Sequence, residues 1–172
     1  MIQKSLKRIN SKIISNKTLK KTVTIHFCSK FSEIEEKLTT ANYSFLKQLN
    51  FNFYYGNFVI LPDKNGKISS VIFGLKKTRK VSNFLIGSQL SKLPKGNYLI
   101  KNYPKTENIT ELILGFYLSF YSFKEYHKSS KSLKKPILSL PNSKKMNKLI
   151  YLAESEYIVR DLINLPANIL NP

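Results

Sequence analysis

The side chains able to do chemistry are few and scattered along this 172-residue chain. There are two aspartates, Asp63 and Asp161. Glu33, Glu35 and Glu36 crowd one short segment, while Glu154 and Glu156 stand two apart and face different ways on a helix. Hydrolysis through two metal ions needs several carboxylates converging on ions about 3.5–4 Å apart, to bind and activate a bridging water. No set here has that spacing. His26 and Cys28 lie two apart in a strand-like apolar run and so share one face. A metal pair is conceivable there, but zinc takes three or four ligands, and a packed core histidine is the simpler account. His127 flanks a lysine-rich stretch and is expected to be exposed. Cys28 is the one cysteine, which excludes an internal disulfide or a Cys-based zinc site and fits a reducing compartment. No context activates a serine, and no phosphate-binding glycine loop stands out. No catalytic residue and no metal ligand is assigned.

Charge is the next signal. Lys and Arg number 29 against 10 Asp and Glu, a net charge of +19. Such a field attracts polyanions, and nucleic acid is the first candidate. Tyrosines and phenylalanines interleave with the lysines, and aromatic rings can stack bases. Two details weigh against a dedicated nucleic-acid site. Arginine, which suits bidentate phosphate grip and base readout, occurs only at Arg8, Arg79 and Arg160. The chain is also rich in Lys, Asn, Ile, Ser, Tyr and Phe together, the signature of AT-rich codon usage, so a drifted lysine surface explains the charge without any partner. Most aromatics, moreover, fall at inward positions of the expected helices and strands. No apolar run approaches the roughly 18–20 residues of a membrane helix; the longest, Leu112–Tyr121, is broken by Gly115 and Ser119. Asn42–Ser44 and Asn108–Thr110 match the glycosylation sequon, which carries no meaning in a cytoplasmic protein.

The elements that would position these groups read as alternating strands and helices. Residues 1–21 form a basic N-terminal arm, or an amphipathic helix with Ile2, Leu6, Ile9 and Ile13 at helical spacing. A mitochondrial transit peptide would look similar, but arginine is scarce and the basic bias does not stop there; no apolar segment of a secretory signal follows. Thr22–Phe27 is β-branched and aromatic and predicts a strand. Ser32 with Glu35 makes a capping-box pattern opening a short helix toward Leu38. Phe45, Leu46 and Leu49 predict another turn or two of helix. Phe58–Leu61 and Ile68–Leu75, separated by Pro62-Asp63-Lys64-Asn65-Gly66, predict a β-hairpin. Asn83–Leu93 predicts a helix stopped by Pro94, and Tyr98–Lys101 a short strand. Ile109, Leu112, Ile113, Phe116, Tyr117 and Phe120 fall on one helical face, a stripe that must be buried against a sheet. After a lysine-rich loop, Lys124–Lys135, come a strand at Pro136–Leu140 and a final helix from Lys144 to about Ile163, with Met146, Leu149, Ile150, Ala153 and Tyr157 inward. The expected class is α/β, a mixed sheet with helices packed on it, in one domain.

The last residues carry a longer pattern. Arg160-Asp161-Leu162-Ile163-Asn164-Leu165-Pro166-Ala167-Asn168-Ile169-Leu170-Asn171-Pro172 resembles the junction segment of the leucyl aminopeptidases, R-D-L-x-N-x-P-x-N-x-x-x-P. Leu114–Tyr126 is similar to the family's buried helix, ending G-x-x-L-x-x-Y-x-F-x-x-Y. Gly74-Leu75 at the hairpin's end and Leu93-Pro94-Lys95-Gly96-Asn97-Tyr98 are similar to the compact N-terminal domains of bacterial members. Two positions depart: Leu165 stands where many members carry Thr, and Asn171 where Thr commonly precedes the proline.

The resemblance implies a macro-domain-like three-layer sandwich over 22–163, with 164–172 the junction to a catalytic domain outside this chain. It further implies a cytoplasmic homo-hexamer, a parent enzyme that removes N-terminal residues from peptide substrates, and two divalent ions, Zn or Mn, held by that missing domain. The junction residues are Arg160, Asp161, Asn164, Pro166, Asn168 and Pro172. Pro166 removes a backbone donor and pushes Leu165 out of the α region, ending the helix. Asn164 and Asn168 can bond nearby backbone in the turn, and Arg160 and Asp161 can orient the exit through side-chain hydrogen bonds.

Overall fold

The structure is a computed structural model that describes residues 14–15, 22–76, 82–100, 103–104, 108–123, 135–139 and 145–166. Its centre is set by two strands with contrasting patterns. In β2, Val23–Cys28, side chains alternate between faces: Ile25 and Phe27 enter one core cluster, Cys28 the other. In β4, Ile68–Gly74, the run Ser70–Gly74 is wholly buried, as befits a strand covered on both faces. These two pair in parallel, with Thr24 opposite Ser70 through Cys28 opposite Gly74. Around them the sheet takes the order β1-β6-β5-β2-β4-β3, where β1 is Ile14–Ser15, β3 is Phe58–Pro62, β5 is Asn97–Ile100 and β6 is Ile137–Ser139. Only β3 runs antiparallel, so the sheet is mixed as expected.

The β3–β4 hairpin forms where Asn65-Gly66 placed it. Asp63 accepts from the backbone N–H groups of Asn65 and Lys67, at 2.8 and 2.9 Å, and Gly66 takes the positive φ of 74°. Phe58 faces Phe73 across the pair and stacks on it at 5.0 Å between ring centroids.

Helices cover both faces, giving three layers. On one side lie α1, Thr40–Gln48, and the residues before it, with Ile34, Leu46 and Phe53 packed on Cys28, Leu61 and Ile72. On the other lie α2, Asn83–Leu90, α3, Ile109–Leu118, and α4, Lys145–Asn164. They bury Ile86, Leu90, Leu112, Phe116, Leu149 and Tyr157 with Val71, Phe73, Tyr98 and Leu138 of the sheet. Each such side chain withdrawn from water contributes about 1.5–3 kcal/mol. Leu149, Ala153 and Tyr157 of α4 point inward as the periodicity predicts, with Ile150 half-buried; the Met146 side chain lies outside the described residues.

Three local expectations change. The capping box at Ser32 and Glu35 does not form: two 3₁₀ turns, Phe31–Glu33 and Glu35–Lys37, replace the short helix, and neither start has a side-chain cap. Glu33 instead accepts from the N–H of Ser29 at 2.8 Å, which draws its carboxylate away from a helical role. The next cap is made by Thr39, which accepts from Asn42 N–H and opens α1. The helix expected to reach Leu93 ends at Leu90, its last carbonyls taken up by the turn through Ser91 and Lys92. Within the basic N-terminal segment, Ile14–Ser15 forms the edge strand β1, parallel to Leu138–Ser139 of β6. The helical spacing of Ile2, Leu6 and Ile9 and most of the lysine-rich loop lie outside the described residues. No helix among the described residues is long and apolar enough to cross a membrane.

One crossing fixes the helical layer. Helices α2 and α3 meet at Gly87 and Gly115 with backbone against backbone: a Cβ on Gly87 would sit 2.0 Å from the Leu112 carbonyl oxygen, and one on Gly115 would sit 2.5 Å from that of Phe84. Gly87→Ala must push the helices apart and is expected to cost about 1–3 kcal/mol or more, as overpacking does. Thermal unfolding followed by circular dichroism should fall by at least a few degrees; an unchanged midpoint would mean that the crossing opens freely.

Candidate functional site

The three residues of α4 expected at the junction come together around one tyrosine that follows α3. Arg160, Asp161 and Asn164 sit on its last turns, and Tyr121 projects from the chain just beyond Leu118. The Tyr121 hydroxyl donates to Asp161 Oδ1 at 3.0 Å and accepts from Asn164 Nδ2 at 3.1 Å. Asn164 Nδ2 also donates to the Arg160 carbonyl at 2.7 Å. The Arg160 guanidinium lies over the Tyr121 ring, 5.5 Å from its centroid, where the negative face of the ring favours a cation. Tyr157, one turn earlier on α4, meets the Tyr121 ring edge-to-face at 5.2 Å and donates its hydroxyl to the Tyr117 carbonyl at 2.5 Å. Asp161 is buried. Pro166 is exposed just past the helix, whose last turn closes with the Leu165 N–H on the Leu162 carbonyl. Asn168 and Pro172 lie outside the described residues.

Electrostatics keep this cluster in its neutral phenol state. Burial first, then the Asp161 hydrogen bond and charge, raise Tyr121 above the ordinary phenol value of 10.0, while the Asn164 hydrogen bond and Arg160 oppose. Burial raises Tyr117 to about 12 and moves Tyr157 up as well, with Arg160 opposing the latter. Groups that hold their protons and point at backbone and carboxylate acceptors fasten helices together; they do not activate water. Tyr121 was visible in the sequence only as the Y of the G-x-x-L-x-x-Y pattern. What could have marked it as a partner is the spacing of Asp161 and Asn164, three apart and so on one helical face.

The other chemical candidates resolve into structure. Cys28 is buried, its thiol against the Phe73 carbonyl at 3.8 Å, and burial followed by the Glu33 charge pushes it to about 12, with Lys37 opposing. A thiol so protonated is inert. His26 shares its strand face and stands opposite Ile72. Among the described residues no group of three or more His, Cys, Asp or Glu side chains is placed to hold a metal ion. Asp63 is spent on its hairpin turn and Asp161 on Tyr121, so these residues do not fit a two-metal centre. His127 lies outside the described residues. A second polar cluster links the ends of α2 and α3: Tyr55 and Tyr103 both donate to Asn83 Oδ1, at 2.7 and 2.6 Å, and Asn83 Nδ2 reaches Glu111 at 3.4 Å. An open groove of ≈ 560 Å³ beside α1 and α2 is lined by the amides of Asn50, Asn52, Asn57 and Gln89 with Leu49 and Leu85, and its walls hold no carboxylate, imidazole or thiol.

Residues 31–141 match the family described as M17 aminopeptidase, N-terminal domain. The chain belongs to the M17 aminopeptidase family. Solved structures share the fold of this N-terminal domain. A cytosol aminopeptidase from Coxiella burnetii superposes with a TM-score of 0.73 at 21% identity, over 92% of this chain and 34% of its own. A tomato leucine aminopeptidase variant gives 0.60 at 13%, over 92% and 39%. The bottromycin maturation enzyme BotP in complex with Mn gives 0.52 at 15%, over 94% and 34%. The domain thus spans little more than a third of the length of these structures. No curated protein sequence matches it. The family match stops before α4 begins, so the roles of Arg160, Asp161 and Asn164 rest on the geometry above.

Two outcomes are expected. Tyr121→Phe removes a donor to a buried carboxylate and should cost about 1–3 kcal/mol, read as a lower urea midpoint at constant slope; an unchanged midpoint would mean that this bond does not hold α4. The second concerns alkaline pH. Tyr117, Tyr121, Tyr157 and Cys28 keep their protons to higher pH when folded than when unfolded. The unfolded chain therefore releases them first, and stability that is complete below about pH 9 falls as pH rises through 10 and beyond. The slope of stability against pH should be shallower in Tyr157→Phe than in the natural chain; equal slopes would remove Tyr157 from the linkage.

Proposed function

We propose that this chain is the non-catalytic N-terminal domain of a two-metal leucyl aminopeptidase, joined to its catalytic domain through residues 164–172. The observation that carries the reading is the family match over residues 31–141, in a chain that spans about a third of the solved aminopeptidases it resembles. The composition of the site agrees with it. Its carboxylates and tyrosines are engaged in fastening α4, and the described residues do not fit a metal centre. The two divalent ions, Zn or Mn, then belong to the catalytic domain, and the Mn complex of BotP supports a metal of that class. Peptides losing their N-terminal residues are the substrate class, a homo-hexamer the assembly and the cytoplasm the compartment.

In this role residues 22–163 form the domain and Arg160, Asp161, Asn164, Pro166, Asn168 and Pro172 the junction. The Tyr121 contacts hold the end of α4, so that the chain leaves the domain in one direction; Pro166 then stops the helix. Within the basic N-terminal segment, 1–21, Ile14–Ser15 adds the short edge strand. The nucleic-acid alternative draws less on aromatics than the composition suggests, because Phe27, Phe73, Tyr98 and Phe116 are buried in the core while Phe45, Tyr54, Phe84 and Tyr151 are exposed.

The test is made on two proteins. Purified as 172 residues, the chain should leave leucine p-nitroanilide uncleaved with Zn or Mn. Continued through the coding sequence downstream of Pro172, it should hydrolyse that substrate in a metal-dependent way. Metal-dependent cleavage by the 172-residue chain would overturn the reading, and so would a downstream sequence without metal-binding carboxylates.

A further inference from the structure

The final helix is apolar on two opposite faces. Leu149, Ala153 and Tyr157 are buried against the body of the domain. Turned the other way are Tyr151, Leu152, Val159, Leu162 and Ile163, with exposures of 67%, 46%, 51%, 39% and 76%. Their spacing, 152, 159 and 163 with 151 and 162 beside them, makes one continuous stripe on a 3.6-residue helix, with Ser155 between its two halves. It extends from the second turn of α4 to the residue before Asn164. Glu156 borders it, and Arg160 and Asp161 project off it toward Tyr121.

Isolated exposed apolar residues are ordinary, but an aligned set of five on one helix marks an interaction surface. The distribution of lysine sharpens the point. Lysines occur throughout the sequence up to Lys148, and none follows it. Lys148, one turn before Leu152, heads the stripe, and the four turns beyond it carry no lysine, which keeps an ammonium off a surface whose burial would make an unpaired charge costly.

We propose that the outward face of α4 is the surface on which the catalytic domain of the same polypeptide seats. The inference rests on the reading given above and adds the location of the interdomain contact. Two observations select this occupant. The helix ends at the junction itself, so a domain beginning within the next few residues faces the stripe at an effective concentration on the order of millimolar, set by the short connection. A second copy of this chain has no such tether and must bring +19 charges against +19. Helix α4 is then the shared wall of two domains, apolar on both sides because both sides are buried.

The experiment uses Ile163→Cys in the 172-residue chain and in the chain continued through its downstream domain. Cys28, the one native cysteine of these 172 residues, is buried and protonated, so labelling reports the introduced thiol. Its reaction with a maleimide, followed by peptide mass spectrometry, should be at least tenfold slower in the continued chain. A second measurement covers the chance that the cysteine variant misfolds. Val159→Lys with Ile163→Lys should leave the unfolding midpoint of the 172-residue chain within about 1 °C, as expected at exposed positions, and lower that of the continued chain by 5 °C or more. Equal labelling rates, or equal shifts, in a continued chain that still cleaves leucine p-nitroanilide would overturn the interdomain contact and leave the aminopeptidase reading standing. Slow, concentration-dependent labelling of the 172-residue chain would overturn it in favour of a second copy. A continuation without a metal-dependent peptidase domain would remove the occupant, and both readings would fall together.

Discussion

The arrangement of this domain depends on how closely α2 and α3 approach. At Gly87 and Gly115 no side chain separates the two backbones, and an added Cβ on either would enter van der Waals space already held by a carbonyl oxygen. Everything that follows in the chain is referred to that contact. Helix α3 brings Phe116 and Tyr117 into the core, and its end delivers the Tyr117 carbonyl and the Tyr121 hydroxyl to α4. A displacement of α3 by one methyl radius would carry the Tyr117 carbonyl away from the Tyr157 hydroxyl and the Tyr121 hydroxyl away from Asp161. Hydrogen bonds of 2.5–3.0 Å tolerate little such movement before they weaken. The glycine crossing thus controls how the end of α4 is held, although neither glycine touches Tyr121.

The chemistry of the described groups runs consistently toward neutrality. Cys28, Tyr98, Tyr117, Tyr121 and Tyr157 all keep their protons longer than they would in water, and burial is the leading cause for each. Catalytic sites do the opposite with at least one group, tuning it toward the working pH so that a proton can move. Here the perturbed groups serve as donors: Tyr98 to the Pro94 carbonyl, Tyr157 to that of Tyr117, Tyr121 to Asp161. A phenol offers a large apolar body with one directional donor, which suits locking a helix to its neighbour.

What the sequence made legible follows from the range of the signal. The Asn65-Gly66 turn, the β-branched run of β2 and the apolar spacing of α3 are local, and each element lies where its residues predict. The Ser32–Glu35 pattern was equally local and failed, because Glu33 found the Ser29 N–H across a 3₁₀ turn and Thr39 made the effective cap further on. Strand β1 could not be read from two residues, Ile14 and Ser15, whose pairing depends on β6 more than a hundred positions away. The residue pattern grouped Arg160, Asp161 and Asn164, but their geometry was not legible in it. That Asp161 and Asn164 bracket Tyr121 depends on packing between helices separated by some 40 positions, and no periodicity within either helix encodes it.

Net charge and local charge also speak to different questions. The +19 of the whole chain describes solubility and attraction to polyanions, and codon bias is enough to produce it on any surface free to drift. A surface that resists the drift is therefore more informative than the total. In α4 the inward positions resist because they are core. The outward ones, with Ile163 at 76% exposure, have no such reason within these residues, yet they are as apolar as the core positions opposite. A helix with one buried stripe normally turns charge outward to water. This one, beyond Lys148 at the head of the outward stripe, spends Arg160 and Asp161 on Tyr121 and turns Tyr151, Leu152, Val159, Leu162 and Ile163 outward. That division is what a helix requires when it must be held on one side and covered on the other.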